Sequence, residues 1–400
     1  MVQSTEIRGC ILPWIHMYGG MKGIYNLCCH SELSASKPLV LGTHDQKMSD
    51  VWNNNEYKQA RLDLLNNKIP LECVETCYNI EKQSGFSNRT QVNKRFKDKA
   101  YLQSETKKDG SLKELPSYID IRFGNLCNFK CRMCGPYAST SWYKDWNTNS
   151  NNKYTNTIDF FTKNNIFWDS LYEIIPTIED VYFAGGEPFV QDGHYRLLET
   201  VIDTGRSKYV SLQYNTNLSY SKFKNFDLSC LWQHFKKVEL WPSIEGYKEK
   251  AEYSRKGLKW EIFEKNTILF KKYITTFSCV ISIYTISSMP SLILWIKKLG
   301  LHFYGTILQT PQHLSITCLP KESKKQINLI YKKFLTKHRK AFNNYEINQI
   351  KEWLIYMNSV DNSSLLPKFK KEQQRLDALR NESFEKVFPE FEIWYKNISV

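Results

Sequence analysis

The sequence predicts an α/β chain: a partial, TIM-like (βα)6 barrel, preceded by a Cys-rich N-terminal module and followed by a helical C-terminal extension. Three observations predict it. From Tyr118 onward, six short β-branched or aromatic runs (YIDIRF, VYFAGG, YVSLQYN, KVELWPS, TTFSCVISIYT and LHFYGTIL) alternate with stretches long enough for a helix. That alternation is the signature of strand–helix units and a parallel sheet. Eight of the eleven cysteines precede residue 135. After Pro320 the strand-like runs stop, and apolar residues recur at helical spacing among charges.

Taken in order, residues 1–102 form the Cys-rich module, 103–310 the strand–helix core and 311–400 the extension. The first hundred residues are rich in Cys, Gly, Asn and turn-formers, with one helical stretch near Asp50 to Leu65, and they offer little core of their own. Phe86 to Asn93 contains Ser and Asn suited to capping the helix that follows. Gln103 to Gly110 reads as a linker. In the extension, KESKKQINLIYKKFLTKHRKAF and SLLPKFKKEQQRLDALRNESFEKVFPEF read as helical, punctuated by Pro367 and Pro389.

Four hundred residues, 42% hydrophobic and 24% charged, describe a globular chain of two or three packed units rather than a disordered one. No run of eighteen apolar residues occurs, and the N-terminus shows no leader-like pattern, so the expectation is a soluble, cytoplasmic protein with no membrane partner. Thiols stay reduced in that compartment, and their clustering points to metal rather than disulfides. Cys230, Cys279 and Cys318 stand apart among apolar neighbours and read as small buried hydrophobes. The net charge of +14 is compatible with a polyanionic partner such as nucleic acid, but Lys far outnumbers Arg and is spread along the chain rather than gathered in a stripe.

At the end of the first predicted strand stands FGNLCNFKCRMCG, with Cys127, Cys131 and Cys134 separated by three and then two residues. Three thiolates so close on one loop can wrap a single metal centre, and soft sulfur selects iron–sulfur or zinc. A structural zinc site closes with four ligands, whereas three leave one iron of a four-iron cluster open to a substrate. This loop resembles that of the radical S-adenosylmethionine superfamily. The resemblance implies a 4Fe-4S cluster, S-adenosyl-L-methionine chelated at the open iron, and its reductive cleavage to a 5′-deoxyadenosyl radical. Met133 occupies the position that in the family contributes an adenine contact.

The same resemblance assigns further positions. Gly185, Gly186 and Glu187, in FAGGEPFV, match the motif for the methionine amino group; alone, the string would read as a turn. Asn215 and Asn217 end the third strand, where the family places polar groups near ribose and methionine; a polar strand cap is the competing reading. Ser243 and Arg255 match positions that contact S-adenosylmethionine in peptide-modifying members. Where the family usually has Asp, this chain has Glu245.

Upstream, Cys10, then Gly23, four residues and Cys28, followed by Cys73 and Cys77, resembles the auxiliary-cluster modules called SPASM and twitch. The ligand set read from it is Cys10, Cys28, Cys73 and Cys77, with Cys29 as the alternative to Cys28. The resemblance implies a second, auxiliary 4Fe-4S cluster; a structural zinc site is the rival. Two departures stand out: the module precedes the barrel, and three residues rather than two separate Cys73 from Cys77. His16, between Trp14 and Tyr18, reads as a packed residue. The functional expectation is an oxidoreductase-type radical enzyme acting on a peptide or protein and fed by an electron donor such as flavodoxin or ferredoxin. RNA or a nucleoside-like metabolite is the alternative substrate, and a zinc-stabilised binding protein the alternative class.

Overall fold

A computed structural model of the chain describes residues 6–84, 87–148 and 150–399. It is mixed α/β. Nine strands matter here: β1 (His16–Gly19), β2 (Ile24–Asn26), β3 (Gly42–Thr43), β4 (Tyr118–Ile121), β5 (Asp180–Phe183), β6 (Ser211–Thr216), β7 (Lys237–Pro242), β8 (Thr276–Ile281) and β9 (His302–Ile307). The last six are the six strands the sequence predicts. The first seven form one sheet in the order β3-β2-β1-β4-β5-β6-β7. β4, β5 and β6 pair in parallel, with Tyr118 opposite Asp180 and Asp180 opposite Ser211. Parallel neighbours need a long crossover, and helices Asn165–Ile174 (α4) and Asp192–Asp203 (α5) supply two of them.

Contacts divide the chain into two compact units. The first comprises residues 1–125, 157–214 and 224–238, and the second 126–156, 215–223 and 239–400. Strands β6 and β7 run from one unit into the other.

In the first unit, β1 pairs in parallel with β4, His16 opposite Tyr118, so the N-terminal segment shares a sheet with the first core strand. The predicted helix at Asp50–Leu65 is two helices, Met48–Trp52 (α1) and Asn55–Leu65 (α2), because the Asn54 side chain accepts from the Tyr57 amide and caps the second. Helix Asn88–Arg95 (α3) opens on a capping box between Ser87 and Thr90; Phe86 lies outside the described residues.

The expectation of little core is corrected here. Trp14, Trp52 and Tyr57 are fully buried, and so is Arg61. Its guanidinium lies 4.4 Å over the Trp52 ring and donates to the carbonyls of Pro13 (2.8 Å) and Trp52 (2.9 Å). A hydrophobicity count misses such a core, since a cation and aromatic rings build it.

His16 is buried and packs on Tyr118, as its neighbours predict, with ring centroids 4.5 Å apart. His194, on α5, is fully buried, its Nε2 3.0 Å from the Tyr214 hydroxyl. Burial drives each imidazole down to about 3. An unfolded His protonates near 6.5, so the stability that neutral His194 confers is complete above that pH and lost as pH falls toward 3. His194→Gln should therefore flatten the stability profile between pH 7 and 5 by about 2 kcal/mol relative to wild type, measured by urea titration at each pH. The comparison with wild type matters because buried Asp120, raised to about 7 by burial, pulls the other way.

The second unit holds the ends of β6 and β7 together with β8 and β9, which pair in parallel from Thr276 opposite His302 to Ile281 opposite Ile307. Parallel bridges link Leu240 to Ile274 and Ser243 to Ser278. Helices Trp260–Leu269 (α6) and Met289–Lys298 (α7) follow β7 and β8 in the chain. The extension is helical as predicted, in Lys321–His338 (α8), Asn344–Ser359 (α9) and Leu366–Arg380 (α10), with Pro367 in the first turn of α10. α9 is absent from the two predicted helical stretches; its Asn343–Glu346 capping box was the available signal. Cys279 and Cys318 are buried as expected, but Cys230 is exposed, because its helix, Leu228–Trp232, buries only Leu228 and Trp232. Among the described residues no helix is long and apolar enough to cross a membrane.

Candidate cluster-binding sites

The Cys127–Cys134 loop lies in the second unit and is held along its length. The backbone amides of Lys130 and Arg132 donate to the carbonyls of Lys256 (2.9 Å) and Ser254 (2.8 Å). These two bonds flank Arg255 and set it beside the loop. Trp142 Nε1 donates to the Cys131 carbonyl at 2.9 Å, and the Ser141 hydroxyl to the Cys127 carbonyl at 2.7 Å. Gly257, at φ +114°, permits the close approach: a Cβ there would stand 2.7 Å from Phe129 Cδ1 and 3.0 Å from the Asn128 carbonyl oxygen. Gly257→Ala is expected to cost about 1–3 kcal/mol of stability, read from the shift in the urea midpoint.

Cys131 is buried and Cys134 exposed. Their thiols share a hydrogen bond that, helped by the positive charge of Arg255, holds the Cys131 thiol below its ordinary range. Cys127 lies within electrostatic reach of Cys134. Arg255 in turn pairs with buried Glu245 at 2.5 Å, while its Nε is buried without a partner among the described residues. Glu245, at the position where the family usually has Asp, is thus the counter-ion that orients Arg255; an acidic residue ten positions before an Arg was the only signal in the sequence.

The other predicted positions separate by what engages them. Asn217 Nδ2 donates to Asn128 Oδ1 at 2.9 Å, and its Oδ1 accepts from the Ser219 amide and hydroxyl. It therefore braces the Cys loop. Asn215 keeps a buried Oδ1 with no partner among the described residues, a polar atom available to a ligand. The Ser243 amide donates to the Thr216 carbonyl at 2.8 Å, fixing the end of β7 against that of β6. Met133 is half-buried between the second and third cysteines.

Gly185, Gly186 and Glu187 belong to the first unit. Both glycines sit at positive φ, +79° and +54°, so the turn requires them. Glu187 is buried, and its Oε1 accepts from the Phe189 amide at 3.1 Å. Gln191 Nε2 holds the turn by donating to the Gly185 carbonyl at 2.9 Å.

The first unit also gathers the upstream thiols. Helix α3 pins the Cys10 segment, since Asn93 donates to the Gly9 carbonyl and accepts from the Ile11 amide, both at 2.9 Å. Cys73 and Cys77 follow one another on a helix whose second part, Val74–Tyr78, is a turn of π-helix. Cys28 lies within electrostatic reach of Cys10, Cys73 and Cys77. Cys29 lies within electrostatic reach of Cys28 and of Asp120, Arg122 and Glu32. Burial pushes the Cys10 and Cys28 thiols up to about 12. Soft thiolates are the donor set of an iron–sulfur cluster or of zinc, and both cysteine groups fit that chemistry. Among the described residues no three His, Cys, Asp or Glu side chains converge as one metal ion would require.

No protein-family model matches the chain, and no characterised protein matches it in sequence. Among solved structures, three of SuiB from Streptococcus suis are similar: one bound to S-adenosylmethionine (12% identity, 74% of this chain), one of SuiB itself (13%, 72%) and one bound to the precursor peptide SuiA (13%, 74%). In each case the TM-score is 0.37 and the match spans 64% of the SuiB chain. The likeness of this chain to the radical S-adenosylmethionine superfamily therefore stands on its own residues, the Cys127, Cys131 and Cys134 loop with Arg255 beside it.

Proposed function

We propose that the chain is a radical S-adenosylmethionine enzyme that holds a 4Fe-4S cluster at Cys127, Cys131 and Cys134 and modifies a peptide or protein. The observation that carries this reading is the loop itself: three thiols gathered in one turn of chain, backed by the buried Arg255–Glu245 pair. With cluster and S-adenosylmethionine bound, the site would supply a 5′-deoxyadenosyl radical, which can take hydrogen from carbon that no side-chain acid or base can deprotonate. The protein's own residues bind and orient. Arg255 keeps positive charge beside the thiolates, Asn217 braces the loop through Asn128, and Asn215, Ser243, Met133 and the Gly185–Glu187 turn would contact S-adenosylmethionine.

In this reading the six parallel strands form a partial barrel. Residues 1–102 form a twitch-like module whose Cys10, Cys28, Cys73 and Cys77 hold an auxiliary 4Fe-4S cluster, 103–310 the core and 311–400 a helical extension. A cytoplasmic flavodoxin or ferredoxin would deliver the electron. The +14 charge favours one second reading, an RNA substrate, which predicts binding that weakens steeply with salt.

Anaerobic reconstitution with iron and sulfide tests the proposal. About eight irons per chain, with 5′-deoxyadenosine formed on adding dithionite and S-adenosylmethionine, is the expected result. Zinc in place of iron, with no visible charge-transfer absorption, would sink it.

A further inference from the structure

The Cys loop carries two cations that the cofactor reading does not use; the C-terminal extension meets one directly and reaches the other through Asp145. Arg132, between Cys131 and Met133, lies 3.6 Å over the Tyr253 ring. It donates to Gln373 at 2.8 Å, Asp377 at 2.5 Å and Glu382 at 2.7 Å. Gln373 and Asp377 are on α10, and Glu382 follows it. Lys130 pairs with Asp145 at 2.8 Å, and Asp145 also receives Arg380 Nε, from the last residue of α10, at 2.7 Å. All of these residues belong to the second unit.

Arg380 is the unusual member. It is only 6% exposed, its guanidinium carbon lies 4.6 Å over the Trp142 ring, and that indole donates to the Cys131 carbonyl. Its Nη1 and Nη2 are both buried and find no partner among the described residues. Four N–H bonds left unmet in a protein interior cost more than a structural ion pair with Asp145 needs. They are accounted for if something anionic takes them up beside Cys131.

We propose that Arg380 is a positioning residue of the redox site: the C-terminal helix carries a buried positive charge and two free amino groups to the Cys131 side of the loop, where they favour the reduced state of the cluster. This rests on the radical S-adenosylmethionine reading above. The physical reason is Coulombic, since adding an electron makes the thiolate-bound centre more negative and a fixed cation in a poorly solvated place stabilises that state. Arg132, locked by Asp377 and Glu382, keeps α10 on the loop.

The test is an EPR-monitored redox titration of the reconstituted full-length protein. The signal that changes on adding S-adenosylmethionine identifies the cluster at Cys127, Cys131 and Cys134. Arg380→Met should move its potential negative by about 59 mV, a tenfold loss in the reduced-to-oxidised ratio at fixed potential. Arg380→Lys should recover most of that shift. Lys371→Met, which removes the same charge from an exposed position on the same helix, should leave the potential unchanged. Arg380→Gln, uncharged but able to donate to Asp145, carries the test if the Met variant does not fold. A potential unmoved in Arg380→Met or Arg380→Gln, or moved equally by Lys371→Met, overturns the proposal. A wild type with no iron–sulfur signal overturns the parent reading, and this one with it.

Discussion

Replacing Cys131 by Ala is expected to reduce 5′-deoxyadenosine formation from S-adenosylmethionine and dithionite by at least about three orders of magnitude, roughly 4 kcal/mol in barrier terms. Cys131 is the buried member of the loop, holds the hydrogen bond from Cys134 and lies within reach of the Arg255 charge. Its carbonyl is fixed by Trp142. The backbone would keep its path in the variant, because the amide bonds from Lys130 and Arg132 to the 254–256 segment do not involve the thiol. What would be lost is one of the three soft ligands proposed for the cluster, and alanine offers no donor atom in its place. Chromatography of the quenched reaction gives the answer. Cleavage within tenfold of wild type would mean that the loop does not hold the working cluster.

The second large effect separates two adjacent cysteines. Cys28→Ala should lower iron from about eight to about four per reconstituted chain, whereas Cys29→Ala should keep about eight. The Cys28 thiol lies within electrostatic reach of Cys10, Cys73 and Cys77, so its removal would break the set of four proposed for the auxiliary cluster. The Cys29 thiol lies within electrostatic reach of Asp120, Arg122 and Glu32 as well as Cys28. Cys28→Ala should still cleave S-adenosylmethionine, because its loss leaves Cys127, Cys131 and Cys134 intact, but cleavage should be uncoupled from product. Equal iron loss in both variants would argue for a ligand shared between them, and loss only in Cys29→Ala would reverse the assignment.

How much of this was legible follows from the range of each interaction. The six core strands could be read because strand alternation and helix periodicity are local patterns, and α10 because its apolar residues repeat within one helix. The break between α1 and α2 was less visible: NNN in a helical pattern reads as continuous until the Asn54 side chain is seen to cap the Tyr57 amide. The core of the N-terminal segment was invisible for a different reason. Its centre is Arg61, a residue that composition counts as surface, held by carbonyls contributed from Pro13 and Trp52.

By itself, then, the sequence determined the Cys127, Cys131 and Cys134 loop, since three cysteines within eight residues share a loop whatever surrounds it. It also determined the order of strands and helices on which that loop hangs. Tertiary structure alone decided that the Cys28 thiol lies within reach of Cys10, Cys73 and Cys77, that Glu245 holds Arg255, and that Arg380 returns from nearly 250 positions away to lie over Trp142 beside Cys131. The reason is geometric. Neighbouring side chains on a turn point to different partners, and contacts between distant segments are set by how the chain folds back on itself, which no local periodicity records.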